Sequence, residues 1–243
     1  QVLVDGSDIS VQNAAKQLAQ MPLNGRGNVR PTQISVVSFY NPERVSAVNV
    51  VPGLVGVILT MTMVLFTAVA IVRERERGNL ELLITTPVTR TELMVGKVLP
   101  YIVIGLVQTT IVLLLGAWVF HVPNRGDWLD VYIASMLLIL ANLSLGLLIS
   151  TRAQSQFQAM QMSFFLLLPS LLLSGFMFPF AGMPKAAQWI AEILPLTHFI
   201  RLNRGVMLRG ADLMDVWPDA LALILFTLVM MGLAIMRFSK RLD

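Results

Sequence analysis

Residues 51–72 read VPGLVGVILTMTMVLFTAVAIV, and residues 73–77, directly after them, read RERER. The first run holds no Asp, Glu, Lys or Arg and is about as long as the ~20 residues a helix needs to cross a hydrocarbon core of about 30 Å. Four more such runs follow, at about 98–120, 129–150, 157–180 and 218–236. Hydrocarbon cannot satisfy free backbone groups, so a spanning segment of this length must be helical; barrel strands would be shorter and would alternate. The whole chain agrees with this reading. Its 243 residues are 56% apolar and 13% charged, about half the charge of an ordinary soluble domain, and mean hydropathy is +0.72. One apolar run could be a buried core helix; five could not. The expected fold is an all-α polytopic membrane protein.

Residues 1–50 differ. Gln1-Val2-Leu3-Val4 reads as a strand closed by Asp5-Gly6. Val11, Ala14, Ala15 and Leu18 recur at helical spacing, and Pro22, Gly25 and Gly27 interrupt the chain. Ile34 to Tyr40 reads as a second strand, ended by Asn41-Pro42. The expectation is the residual piece of a small α/β extracytoplasmic domain, with an upstream segment bringing its own targeting signal or first span, which would make six spans. The absence of cysteine excludes disulfides, zinc-thiolate sites and thiol nucleophiles.

Basic residues set the orientation. Loops 73–97, 151–156 and 237–243 carry Arg73, Arg75, Arg77, Arg90, Lys97, Arg152, Arg237, Lys240 and Arg241, close to the span ends. Loops 121–128 and 181–217 carry Arg125, Lys185, Arg201, Arg204 and Arg209 over a greater length. The first set is expected in the cytoplasm, together with the C-terminus, and residues 1–50 outside.

Energy and chemistry narrow the function. A secondary transporter would place ionisable groups within its spans, and these spans have none in their interiors. An intramembrane hydrolase would need a nucleophile with its base, or a His-Glu-x-x-His metal motif, and the sequence has neither. His121 and His198 are isolated and do not form a metal site. There is no phosphate-binding Gly-x-x-x-x-Gly-Lys-Ser/Thr loop, so ATP would have to be bound by another subunit. A secondary transporter or an ion channel not driven by ATP remains the alternative. The uncharged polar residues Gln108, Thr109, Thr110, Asn142 and Ser144 lie inside spans and are expected to join helix to helix.

Between the first two runs lies Arg73-Glu74-Arg75-Glu76-Arg77-Gly78-Asn79-Leu80-Glu81-Leu82-Leu83-Ile84-Thr85-Thr86-Pro87. Its signs alternate, Glu74 is placed to pair with Arg77 at i,i+3, and Pro87 ends the element. Thr89-Arg90-Thr91-Glu92 is a capping-box pattern that starts the next helix. The expectation is a short, stiff knob carrying charge and apolar surface together.

Residues 73–90 resemble the signature loop of the ABC-2 type permeases, membrane subunits of bacterial ABC exporters. The matching positions are Glu74, Glu76, Gly78, Glu81, Leu82, Pro87, Gly96 and Lys97, with Asn79 where Thr is usual. A second similar block runs through Leu168-Pro169-Ser170, Leu173 to Pro179, Met183-Pro184, Leu194 to Phe199 and Arg204 to Gly210. The resemblance covers 45–243 and implies an ABC-2 type transmembrane domain over 51–243, with a coupling loop at 73–97 and an external hairpin at 181–217. It implies an ATPase-coupling role for Arg73, Glu74, Arg75, Glu76, Arg77, Gly78, Glu81, Leu82, Leu83 and Pro87. No cofactor is expected on this chain, with ATP and Mg on a partner ATPase. A second permease copy or paralogue, membrane lipid and a periplasmic adaptor are the other expected partners, without nucleic acid.

The second block also has the local physics of a gate. Pro169 removes a helical hydrogen bond beside Ser170, Ser174 and Gly175, so a kink or break is expected there. Segment 184–194 is too short to cross, with an apolar face of Ala186, Ala187, Ile190, Ile193 and Leu194 and an interfacial Trp189. The expected outward gate comprises Pro169, Ser174, Gly175, Phe176, Phe178, Pro179, Pro195, His198 and Phe199. His198 is expected to be a hydrogen-bond partner, near Glu192.

Overall fold

The structure, a computed structural model, describes residues 2–5, 17, 36–39, 46–78 and 90–237. Two short strands, β1 (Val2–Asp5) and β2 (Val36–Phe39), pair in parallel with Val2 opposite Val36 and Asp5 opposite Phe39. Parallel neighbours require a crossover of a dozen or more residues. Apart from residue 17, the residues between them, and with them nearly all of the helix expected over 11–18, lie outside the described residues.

The membrane part is a bundle of helices. α1 (Ser46–Glu76), α2 (Arg90–Trp118), α3 (Trp128–Ser150), α4 (Gln156–Leu173) and α7 (Trp217–Arg237) are each long and apolar enough to cross a bilayer. Two short helices, α5 (Lys185–Ala191) and α6 (Pro195–Arg204), fill the connection before α7; a 3₁₀ turn (Phe180–Gly182) precedes them and a π turn (Gly205–Arg209) follows. The fourth run, read from sequence as 157–180, stops as helix at Leu173. Ser174 caps it, and Gly175 turns the chain with φ +82°, a conformation that costs glycine no Cβ clash. The helix continues unbroken through Pro169, where the Ser170 hydroxyl donates to Leu166 O at 2.7 Å.

α3 is the centre of the bundle. Of its most apolar window, 67% is buried, against 17% for α4 and 11% for α7, so those two helices turn most of their surface outward. Leu138, Ile139, Leu143 and Leu147 on α3 are fully buried in one core with Leu59 and Met63 on α1. Lipid tails are as apolar as leucine, so packing and polar bonds, rather than escape from water, must join these helices. Both devices are present. Asn142 donates to Thr60 Oγ1 (3.1 Å), the Thr62 hydroxyl to Gln108 Oε1 (2.8 Å), and the Thr110 and Tyr132 hydroxyls meet at 2.8 Å. Thr109 and Ser144, in contrast, donate to carbonyls of their own helices, Gly105 O and Ala141 O.

α1 and α3 approach each other closely at Gly146. A Cβ there would lie 2.9 Å from Val64 O and 2.9 Å from Thr67 Cβ, and backbone cannot give way cheaply. Gly146→Ala should therefore cost about 1–3 kcal/mol, the usual range for overpacking, and lower the thermal midpoint in detergent. Gly232→Ala on α7, where a Cβ meets nothing within 4 Å, is the matched control and should leave the midpoint unchanged or slightly raised.

Candidate functional site

Two polar regions close the bundle at opposite ends. At the basic end, α1 ends in the charged run, and three of its side chains are engaged with the turn between α3 and α4. The Arg75 guanidinium donates to Ser150 O (3.4 Å) and to Ala153 O. Glu76 accepts from the backbone N–H of Gln156 (2.9 Å) and from its side-chain amide. Arg73 Nε donates to Gln156 Oε1 at 3.3 Å. The charges suit their places: a cation at the carbonyl end of α3 and an anion at the N–H end of α4 both complement the helix dipoles.

Glu74, expected to pair with Arg77, instead forms its ion pair with Lys97 on α2. The Lys97 side chain is only 16% exposed, and a desolvated ammonium needs a counter-charge more than an exposed guanidinium does. Gly78 follows with φ +73°. Of the residues expected to couple to an ATPase, Arg73 to Gly78 are therefore seen at the mouth of the bundle. Glu81, Leu82, Leu83 and Pro87, and with them the expected knob, lie outside the described residues. The next helix begins at Arg90, within the capping-box pattern.

At the opposite end, the connection from α4 to α7 folds back into the bundle. The buried part is α6, where Leu196, Thr197, Phe199, Leu202 and Asn203 have 0% exposure, while Trp189, Ile190 and Ile193 around α5 are 74%, 52% and 67% exposed. Sequence reading drew attention to 184–194, yet the inserted piece is the helix after it. Phe199 and Leu196 lie against Gly56 of α1, and Phe176 lies against Gly53. The backbone freed where α4 stops is met by side chains from the far end of α6. Arg204 donates to Gly175 O (3.3 Å) and Asn49 O (3.4 Å), and Asn203 donates to Pro52 O (2.8 Å). Of the expected gate residues, Phe176, Pro195 and Phe199 are thus gathered around α1. Phe178 is 54% exposed, Pro169 is exposed on α4, and His198 sits in a separate ionic group. Arg204, Asn203, Arg201 and Asp219 were missed. The available signal was that His198 and Arg201 stand one helical turn apart on a short helix that begins with Pro195.

His198 is held from both sides. Its Nδ1 lies 2.8 Å from Asp219 Oδ1 on α7, and its Nε2 lies 2.9 Å from Glu192 O. A carboxylate and a carbonyl are both acceptors, so only the imidazolium, with two N–H groups, satisfies both. Burial opposes that charge, but the hydrogen bonds and the nearby carboxylates outweigh it and raise the His198 pKa above its ordinary 6.5. Arg201 grips Glu192 through two bonds of 3.0 and 2.5 Å, lies 3.8 Å from Asp219, and stacks 4.3 Å from the centre of the Phe180 ring. Those bonds hold Glu192 below its ordinary 4.5 in spite of partial burial.

The His198 contribution is complete below 6.5 and is lost as pH rises through its higher folded value; that of Glu192 is complete above 4.5 and is lost as pH falls through its lower folded value. Hydrogen-exchange protection of amides 192–204, corrected for intrinsic rates, should therefore be greatest between these two values and decline toward alkaline pH. His198→Asn should flatten the alkaline limb, and an identical profile in that variant would refute the assignment.

Between the two ends a narrow cleft runs along α1, α3 and α4, lined by Thr60, Met61, Val64, Asn142, Ser163 and Phe164 and reaching Ser170 and Pro195 below the hairpin. Its walls are apolar with a few hydroxyls and one amide, and Asn142 keeps its side-chain oxygen buried without a partner. Among the described residues, no group of three or more His, Cys, Asp or Glu could hold a metal ion. The arrangement offers an apolar binding surface between two polar ends.

Comparison with known proteins agrees. The family described as "ABC-2 family transporter protein" matches residues 1–236. "Probable multidrug ABC transporter permease YbhS" of Escherichia coli K12 is 31% identical over 254 residues, covering 100% of this chain and 67% of the relative. YbhR of the same strain, described in the same words, is 30% identical over 249 residues, covering 99% of this chain and 68% of the relative. "Linearmycin resistance permease protein LnrN" of Bacillus subtilis is 28% identical over 161 residues, covering 66% of this chain and 42% of the relative. Members of this kind are permeases and not catalytic ATPases, and family membership implies a partner ATPase. The chain belongs to the ABC-2 family of transporters and is a multi-pass inner-membrane transport permease.

Proposed function

We propose that the chain forms half of an export pathway for amphipathic or drug-like solutes and is driven by an ATPase docked on its basic end. The basic end then faces the cytoplasm, and the hairpin of α5 and α6 faces outward, beside the small α/β domain of which β1 and β2 are part. The observation that carries this reading is the division of labour along the bundle: charge is concentrated at one end, an inserted hairpin closes the other, and an uncharged cleft lies between them. A pathway without fixed charge suits an apolar or amphipathic cargo, in keeping with the multidrug and linearmycin-resistance names of the relatives. Glu81, Leu82, Leu83 and Pro87 supply the docking surface. Phe176, Phe178, Pro179, Pro195 and Phe199, with Ser174 and Gly175 as the hinge, form the outward gate. A second copy or paralogue completes the pathway around the outward-turned faces, and an external adaptor can join it.

Switching requires two discrete packings of the helices, and the hairpin, packed on Gly53 and Gly56 of α1 and bonded to α1 and α4 through Asn203 and Arg204, is the element that would change. Gentle purification of the wild-type chain should bring down an ATPase subunit. Replacing Leu82 and Leu83 with Ser should reduce its recovery at least ten-fold while leaving membrane insertion intact. Solute movement by the isolated chain in sealed vesicles, without ATPase or ATP, would refute the reading.

A further inference from the structure

α4 makes few lateral commitments. Only Ala159, Ser163 and Ser170 are buried along its length, a single seam against its neighbours, while Phe157, Phe165 and Leu168 are 77%, 70% and 57% exposed. Polar bonds at its two ends add to the apolar seam it forms with α1. At its start, Glu76 accepts from the Gln156 backbone N–H and side-chain amide, Arg73 donates to Gln156, and Arg75 takes the two carbonyls, Ser150 O and Ala153 O, that close α3 just before it. The turn itself is stiff: Ser155 caps α4 by accepting from the Gln158 N–H (3.2 Å), and the Gln154 N–H donates back to the Gln158 side chain (2.7 Å). At its other end, Gly175 O, the first carbonyl beyond the cap, accepts from Arg204 at the end of α6.

We infer that Arg75 and Glu76 are positioning residues that fasten the tail of α1 to the head of α4. Displacement of the segment after residue 78 is then delivered along α4 to Gly175, and through Arg204 to the hairpin. This rests on the coupling reading proposed above but assigns these two residues a different task from docking: they grip another part of their own chain and pass the motion on. The chemistry is specific. A carboxylate at 76 is required because it must accept two N–H groups at a helix N-terminus, and a guanidinium at 75 because it must bridge two carbonyls that one ammonium would not span as well.

The 243 residues contain no cysteine, so a single reporter thiol can be placed at will. Leu172→Cys, at the far end of α4 and 41% exposed, is introduced into the full chain with its co-purifying ATPase in lipid nanodiscs. Its reaction rate with a water-soluble maleimide is measured with and without ATP. In the otherwise wild-type background the rate should change several-fold on adding ATP. With Glu76→Ala or Arg75→Ala that change should fall below two-fold, while ATPase recovery and ATP hydrolysis are retained. Glu76→Asp, which keeps a carboxylate at this position, should retain most of the response that Glu76→Ala loses.

An ATP response at residue 172 that survives both alanine variants would overturn the inference, as would the absence of any response in the wild-type background. Loss of the ATPase from the alanine variants would also overturn it, showing direct docking by these residues and leaving the broader function standing. Failure of the broader function reads out separately, as no ATPase recovered with the unaltered chain.

Discussion

Wherever a helix in this bundle stops within reach of hydrocarbon, its orphaned carbonyls and N–H groups must find partners in the protein, because lipid supplies none. That constraint shapes both ends of the molecule. Where α3 ends and α4 begins, the partners are Arg75 and Glu76; where α4 stops early, they are Arg204 and the turn made by Gly175. The charged run after the first span therefore has a structural task even before any second protein is considered. Arg204 likewise joins the hairpin, α4 and the start of α1 through a single side chain.

This distribution explains why the spans were easy to read and the hairpin was not. Span 51–72 announces itself because an uninterrupted apolar run has one solution in lipid, and the helix found, Ser46–Glu76, simply extends it into both interfaces. The fourth run misled by length. Leu171 to Phe180 is as apolar as what precedes it, and only Gly175, with its positive φ, marks where the helix gives way. In the hairpin, composition pointed to 184–194 because its apolar residues are conspicuous, whereas α6 carries His198, Arg201, Asn203 and Arg204 and reads as a surface helix. Its burial depends on partners far along the chain, Gly56 beneath Phe199, Pro52 O for Asn203 and Asp219 for His198, and local periodicity cannot anticipate contacts of that span.

The coupling run shows the same split. That charge and apolar residues occur together at 73–87 was plain from their order, and the pairing of Glu74 inside its own helix was a reasonable local expectation. The structure prefers Lys97, because a half-desolvated cation on the neighbouring helix gains more from a carboxylate than an exposed one does. Helical neighbours are proposed by sequence, but desolvation selects among them.

Three bonds between the middles of spanning helices, Asn142 to Thr60, Thr62 to Gln108 and Thr110 to Tyr132, join uncharged groups. Among the described residues, Asp, Glu, Lys, Arg and His keep to the ends of the spanning helices and to the connections. A membrane potential does work only on charge carried through it, about 2.3 kcal/mol per elementary charge per 100 mV. Rearranging the middles of the described spanning helices therefore moves no formal charge through that field, and whatever work the membrane potential does on them falls on the charged groups at their ends.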